Sequence, residues 1–128
     1  MQLSKANLSE IKSQPGLSIP AASTFNLPEK VLQFGTGVLL RGLPDYYIDK
    51  ANKQGLFNGR IVVVKTNSNG GTDAFGQQNG LFTHCVQGIE NNQRISEIII
   101  NSAISRVLAV SDQWKEILLC AANPEMKL

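Results

Sequence analysis

The hydrophobic pattern changes period along this chain, and each change marks an element. Val31-Leu32-Gln33-Phe34 is a short apolar run that stops at Gly35, which predicts a buried strand. After Gly35-Thr36-Gly37 the spacing becomes helical from position 38 to 52. Leu40, Leu43, Tyr47 and Ala51 share the face expected to turn inward, and Asp45, Asp49 and Lys53 share the one expected to meet water. Pro44 interrupts this segment, so the helix is expected to start at Gly42–Leu43 or to be kinked there. Gly55 and Gly59 bracket the next turn. Arg60-Ile61-Val62-Val63-Val64 then places four β-branched residues in a row without alternation. That predicts a central strand covered on both faces and parallel to the first.

Residues 67–80 are rich in Asn, Gly and Gln and predict a loop. Leu81–Val86 and Arg94–Asn101 predict two strands joined as a hairpin across Gly88–Asn92. Ser111 or Asp112 is placed to cap a last helix whose apolar stripe is Trp114, Ile117, Leu118 and Ala121, with Asn123-Pro124 ending it. Ahead of these elements, residues 1–30 are polar and broken by Pro15, Gly16, Pro20 and Pro28. They predict a short helix at Asn7–Lys12 within an otherwise extended arm. The order opens with a βαβ unit, which predicts an α/β fold with a right-handed crossover.

Composition narrows the function classes. A length of 128 residues suits one domain, and 42% hydrophobic against 17% charged residues gives enough apolar material for a core. The net charge of +2 comes from scattered cations with no basic stripe, so no nucleic-acid partner is expected. Runs such as Ile98–Ile100 fall far short of the ~20 apolar residues of a membrane span. Met1–Ser13 has no apolar h-region, so no signal peptide and a cytoplasmic location are expected. Cys85 and Cys120 form no CxxC and read as two buried thiols of a reducing compartment. With His84 as the sole histidine they offer no metal-ligand spacing, and His84 itself is expected to be structural.

The segment with a chemical use is Phe34-Gly35-Thr36-Gly37-Val38-Leu39-Leu40-Arg41-Gly42. A glycine-rich turn after a strand and before a helix lets the backbone approach a pyrophosphate, while the helix start presents free N–H groups and a positive dipole end. The dinucleotide fingerprint GxGxxG has its third glycine where Leu40 stands here. Spacing alone therefore leaves two readings open, a nucleotide site and a plain strand-ending turn. At the end of the second strand, where an acidic residue often meets the ribose, the chain has Val64-Lys65-Thr66. Lys65 is either a solvated strand-end lysine or a partner for a 2′-phosphate, which keeps NADP beside NAD. Thr66 is a candidate for the ribose hydroxyls.

The run from Pro28 to Gly42 resembles the long-chain mannitol dehydrogenase family, whose members carry a GxGxFxR-type turn here. The likeness continues through Asp45, Ile48-Asp49-Lys50, Gly55-Leu56-Phe57-Asn58-Gly59, Val62–Val64, Gln78–Thr83 and Ile104–Val107. Leu39 stands in place of the usual aromatic of the turn, and Thr36 and Val38 where close relatives tend to have Glu and Asn.

The resemblance implies a truncated Rossmann-like domain with a β-hairpin-like insertion. Residues 1–27 would form a polar arm and residues 28–128 a partial NAD(P)-binding domain. Phe34 to Gly42, with Lys65 and Thr66, would bind NAD. The implied reaction is reversible hydride transfer between nicotinamide and the carbonyl of a sugar acid, tagaturonate, with fructuronate or a polyol such as mannitol as alternatives. A nucleotide-binding or interaction module without chemistry is the reading from a different class. The family's catalytic Lys, Asn and His would lie in a helical domain beyond Leu128. Residues 1–128 alone are therefore expected to hold no catalytic residue, to be inactive, and to self-associate through an open sheet edge.

Overall fold

The computed structural model describes residues 2–67 and 73–128. Its core is a parallel sheet of β2 (Glu29–Phe34), β3 (Arg60–Lys65) and β6 (Ile104–Ala109), in the order β2-β3-β6. β3 is the central strand, pairing with β2 from Glu29↔Arg60 to Phe34↔Val64 and with β6 from Ile61↔Ile104 to Lys65↔Ala109. Every residue of β3 is buried, and Ile61 to Val64 are at most 1% exposed. The unbroken β-branched run is covered on both faces, as predicted: Ile61 and Val63 pack with Val31, Ala103 and Ile104, and Val62 and Val64 with Leu108, Ile117 and Cys120.

β6 was not anticipated. Its apolar residues follow the hairpin strand so closely that Ser102-Ala103 alone separates the two. A second sheet orders β1-β5-β4, from β1 (Leu17–Ser18), β4 (Phe82–Glu90) and β5 (Gln93–Asn101). The hairpin is present and longer than expected. Its strands run through Gly88 and narrow the loop to Asn91-Asn92, both at positive φ (51° and 61°), as a two-residue hairpin turn needs. The arm contributes a short 3-10 turn at Leu8–Glu10 in place of the predicted helix, another at Ala22–Asn26, and β1, which pairs parallel to β5. Of the predicted loop, residues 68–72 lie outside the described residues, and Asp73–Gln77 is a helix, α3.

The helices differ most from expectation. The segment after the glycine turn is broken as Pro44 requires, into α1 (Val38–Gly42) and α2 (Pro44–Lys53), with proline in the first turn of α2. The inward face of α2 is reversed. Asp45 (0% exposed) and Asp49 (2%) are buried, while Leu43 and Tyr47 are more than half exposed. Ser102 at the β5–β6 corner holds the Asp49 carboxylate, and Asn101 there holds the Asp45 backbone carbonyl; an apolar stripe carries no information about such partners.

α4 (Trp114–Ala122) has no side-chain cap from Ser111 or Asp112. Its cap position is Gln113, whose side chain accepts from the Ala109 N–H at 3.0 Å. The helix buries Ile117 and Cys120, whereas Trp114 and Leu118 are half exposed. A helix apolar nearly all round fits several stripes, and contact with β3 and β6 selects one. Asn123 ends α4 as expected. Cys85 is exposed on β4, which corrects the reading of two buried thiols: burial alternates along that strand and leaves Cys85 outward.

Candidate cofactor site

The parallel strands deliver their carboxyl ends to one edge. Gly35 N–H donates to the Val64 carbonyl at 2.9 Å, so the turn after β2 is tied to the end of β3 beside Lys65 and Thr66. Val110 N–H donates to the Lys65 carbonyl at 3.0 Å, adding the end of β6. From β2 the chain steps outward to β3 and then β6. Beyond α4 it returns to the other side of β2, where Lys127 and Leu128 N–H donate to the Lys30 carbonyl and Leu32 N–H donates to the Leu128 carbonyl. β2 is the edge strand of the described sheet, and the glycine turn lies at its carboxyl end. Ligands of open parallel sheets occupy such a position.

Gly35 adopts φ 117°, which a side chain resists, and a Cβ there would lie 3.0 Å from Leu40 Cδ1. Gly37 caps α1 in extended conformation, and a Cβ there would meet nothing within 4 Å. The space over Gly37 is open, so the backbone there is accessible to a ligand. The first N–H groups of α1 have no intrahelical acceptors, as at any helix start. Phe34, Val38 and Leu39 border the turn and are 58%, 76% and 76% exposed, forming an apolar rim. These features fit the backbone and pyrophosphate of a dinucleotide.

The predicted residues do not all face this rim. Arg41 turns back, its guanidinium carbon 5.6 and 5.9 Å from the ring centres of Phe75 and Phe82. Lys65 is only 9% exposed, so it is not a freely solvated lysine, whereas Thr66 is exposed. His84 packs edge-on against Tyr46, with ring centres 5.1 Å apart. No group of three or more metal-ligating side chains occurs among the described residues, and no helix among them is long and apolar enough to cross a membrane. A cavity of about 340 Å³ lined by Lys5, Phe25, Arg60 and Arg106 lies at the opposite, amino-terminal end of the strands.

Asp45, expected on the water-facing side of the helix, is instead fully buried. Both its carboxylate oxygens are buried without a hydrogen-bond partner. Burial pushes this carboxyl up to about 6, and the nearby Gln33 amide and the Arg41 charge only partly oppose that rise. Gln33, itself 8% exposed, donates to the Gly35 carbonyl at 3.4 Å. The signal available in the sequence was a Gln and an Asp flanking the glycine turn, and their proximity is purely tertiary.

No family model matches the chain. It is 36% identical over 103 residues to an altronate oxidoreductase of Halalkalibacterium halodurans, covering 80% of this chain and 20% of that protein. It is 39% identical over 100 residues to the altronate oxidoreductase of Bacillus subtilis, covering 78% and 21%. The chain thus spans about a fifth of the length of these relatives. Among solved structures, a Pseudomonas fluorescens mannitol 2-dehydrogenase in ternary complex with NAD and D-mannitol superposes with a TM-score of 0.82 at 25% identity, over 98% of this chain and 25% of that one. A substrate-free D-sorbitol dehydrogenase gives 0.76 at 15% identity, again over 98% and 25%. Over four fifths of its length this chain is similar to altronate oxidoreductases, and it carries the Rossmann-like fold of the amino-terminal domain of mannitol and sorbitol dehydrogenases.

Proposed function

We propose that this chain is the amino-terminal dinucleotide-binding part of an NAD-linked oxidoreductase that interconverts tagaturonate and altronate in the cytoplasm. Residues 28–128 form the cofactor domain and residues 1–27 an arm upon it. The observation that carries this reading is the glycine turn at the carboxyl end of β2, tied to the end of β3, in a chain similar to altronate oxidoreductases. The backbone N–H groups of Thr36 to Leu39 hold the pyrophosphate. Phe34, Leu40, Arg41 and Gly42 fix the shape of the turn around Gly35 and Gly37. Lys65 and Thr66 lie towards the adenosine ribose. A bound nicotinamide supplies the hydride acceptor, and the protein's part is to hold and orient it.

The described residues present no acid and base at working distance, so residues 1–128 alone do not turn over substrate. Isolated, the segment self-associates through its exposed apolar rim. Fluorescence titration of the full-length protein with NADH and NADPH, followed by assay of altronate oxidation with NAD+, tests the reading. Saturable NADH binding and altronate-dependent reduction of NAD+ are expected. NADPH preference would reassign Lys65 to a 2′-phosphate, and failure to bind either dinucleotide would overturn the proposal.

A further inference from the structure

We propose that the cavity at the amino-terminal end of the strands is a binding site for a small organic anion, a carboxylate or phosphate ester held between Arg60 of β3 and Lys5 of the arm. This goes beyond the dinucleotide reading and does not depend on it, since the cavity and the glycine turn lie at opposite ends of the sheet.

Arg60 opens β3 and is only 6% exposed, yet it lines the cavity. Its Nε donates to the Ser102 carbonyl at 3.1 Å and its Nη2 to the Ile104 carbonyl at 2.6 Å. These acceptors fix the guanidinium without neutralising it. Among the described residues its Nη1 has no acceptor and its charge has no ion pair. A buried cation without a counter-ion is costly, and burial pulls the Arg60 pKa below the usual arginine value, with the Glu29 charge only partly opposing.

A second cation comes to the same place. Lys5 Nζ lies 4.9 Å and Arg60 Cζ 5.2 Å from the centre of the Phe25 ring. The arm is fastened there by Lys5 N–H, which donates to Asn79 Oδ1 at 3.0 Å. The ring attracts both cations but carries no net charge, so their mutual repulsion remains. Arg106, also on the wall, is already matched, pairing with Glu29 at 3.0 Å and Glu116 at 3.7 Å. Glu29 is occupied in turn, its Oε1 accepting from Ser105 Oγ at 2.7 Å as well. The charges left unmatched at the cavity, among the described residues, are Lys5 and Arg60, and both are positive.

Size and lining select the ligand class. The cavity holds about 340 Å³, far more than one water needs and within the roughly 300–1,000 Å³ of small-molecule sites. Phe25 and Phe75 give it apolar wall beside the two cations. Oxygens of a carboxylate or phosphate suit the free edge of the guanidinium and the ammonium, and the carbon body rests against the rings. The occupant ties the arm to the start of β3.

Calorimetric titration of the full-length protein with citrate and with glycerol 3-phosphate, at matched ionic strength and with and without saturating NADH, tests this. Saturable binding of one or both, unchanged by NADH, is expected, and neutral glycerol should show none. Citrate alone would mark a carboxylate site, glycerol 3-phosphate alone a phosphate site. Lys5→Glu should weaken binding roughly tenfold or more. Its melting temperature should stay near wild type, because the Lys5 side chain is exposed and its backbone bond to Asn79 remains. Arg60→Lys should weaken binding too, and if that variant does not fold, Lys5→Glu decides alone. No saturable binding of either anion overturns the inference. So does binding that NADH displaces, which places the anion at the glycine turn, and so does binding untouched by Lys5→Glu. Each of these outcomes leaves the dinucleotide reading in place.

Discussion

Ser102 donates both its backbone N–H and its Oγ–H to one carboxylate oxygen of Asp49, at 2.8 and 3.0 Å. The other oxygen accepts from Lys53 Nζ at 2.6 Å, and the same ammonium reaches the Ile100 carbonyl at 3.2 Å. This carboxylate closes the corner where β5 gives way to β6 and fastens α2 to it. With Asn101 Oδ1 accepting from the Ala103 N–H at 2.9 Å, the polar groups of the corner are satisfied without water.

Asp49→Ala should therefore cost about 3–5 kcal/mol, since it strands a buried N–H and a partly buried ammonium. Ser102→Ala should cost about 1 kcal/mol because the backbone donor remains. Urea denaturation followed by circular dichroism measures both. Equal losses in the two variants would show that Asp49 does not act through the Ser102 backbone.

The two glycines of the turn should separate in their effects. Gly35→Ala forces a side chain to φ 117° against Leu40 and should cost about 1–3 kcal/mol of stability. Gly37→Val meets open space in the free protein, so its melting temperature should hardly change while NADH binding is lost. Unchanged NADH affinity in Gly37→Val would remove the backbone of Gly37 from the cofactor site.

Val63 is 1% exposed on the central strand. Val63→Asp would place an unpaired charge between two layers at a cost of several kcal/mol, against a total of roughly 5–15 for a domain. Loss of the folded state, seen as a missing cooperative melt, is expected. A stable, soluble variant would contradict the buried position of β3.

Asp45 makes stability depend on pH with a definite sign. Its carboxyl is raised from 3.8 to about 6 in the folded protein, so the folded state holds the proton more tightly than the unfolded one. The stability this confers is fully present below 3.8 and is lost as pH rises through about 6. At pH 7.5, Asp45→Asn should exceed wild type by up to ~3 kcal/mol, and the two should converge near pH 4. Equal stability at pH 7.5, measured by urea denaturation, would show that ionised Asp45 carries no burial penalty.

The sequence by itself determined the elements that rest on local chemistry. The β-branched run at 61–64 made a central parallel strand because its stiff side chains favour the extended backbone and a strand covered on both faces buries all four in succession. Gly35-Thr36-Gly37 made the turn, Pro44 broke the helix where its ring cannot be accommodated, and Asn91-Asn92 supplied the positive φ of the hairpin. Tertiary structure alone decided which way each helix faced. Asp49 turned inward because Ser102, more than 50 positions away, offered donors that the pattern along α2 cannot reveal, and Asn101 fastened the Asp45 backbone to the same corner. Trp114 turned outward because α4 is apolar on most sides, and contact with β3 and β6 selected Ile117 and Cys120. The burial of the Asp45 carboxyl without a hydrogen-bond partner belongs to the same class, since it arises from long-range packing.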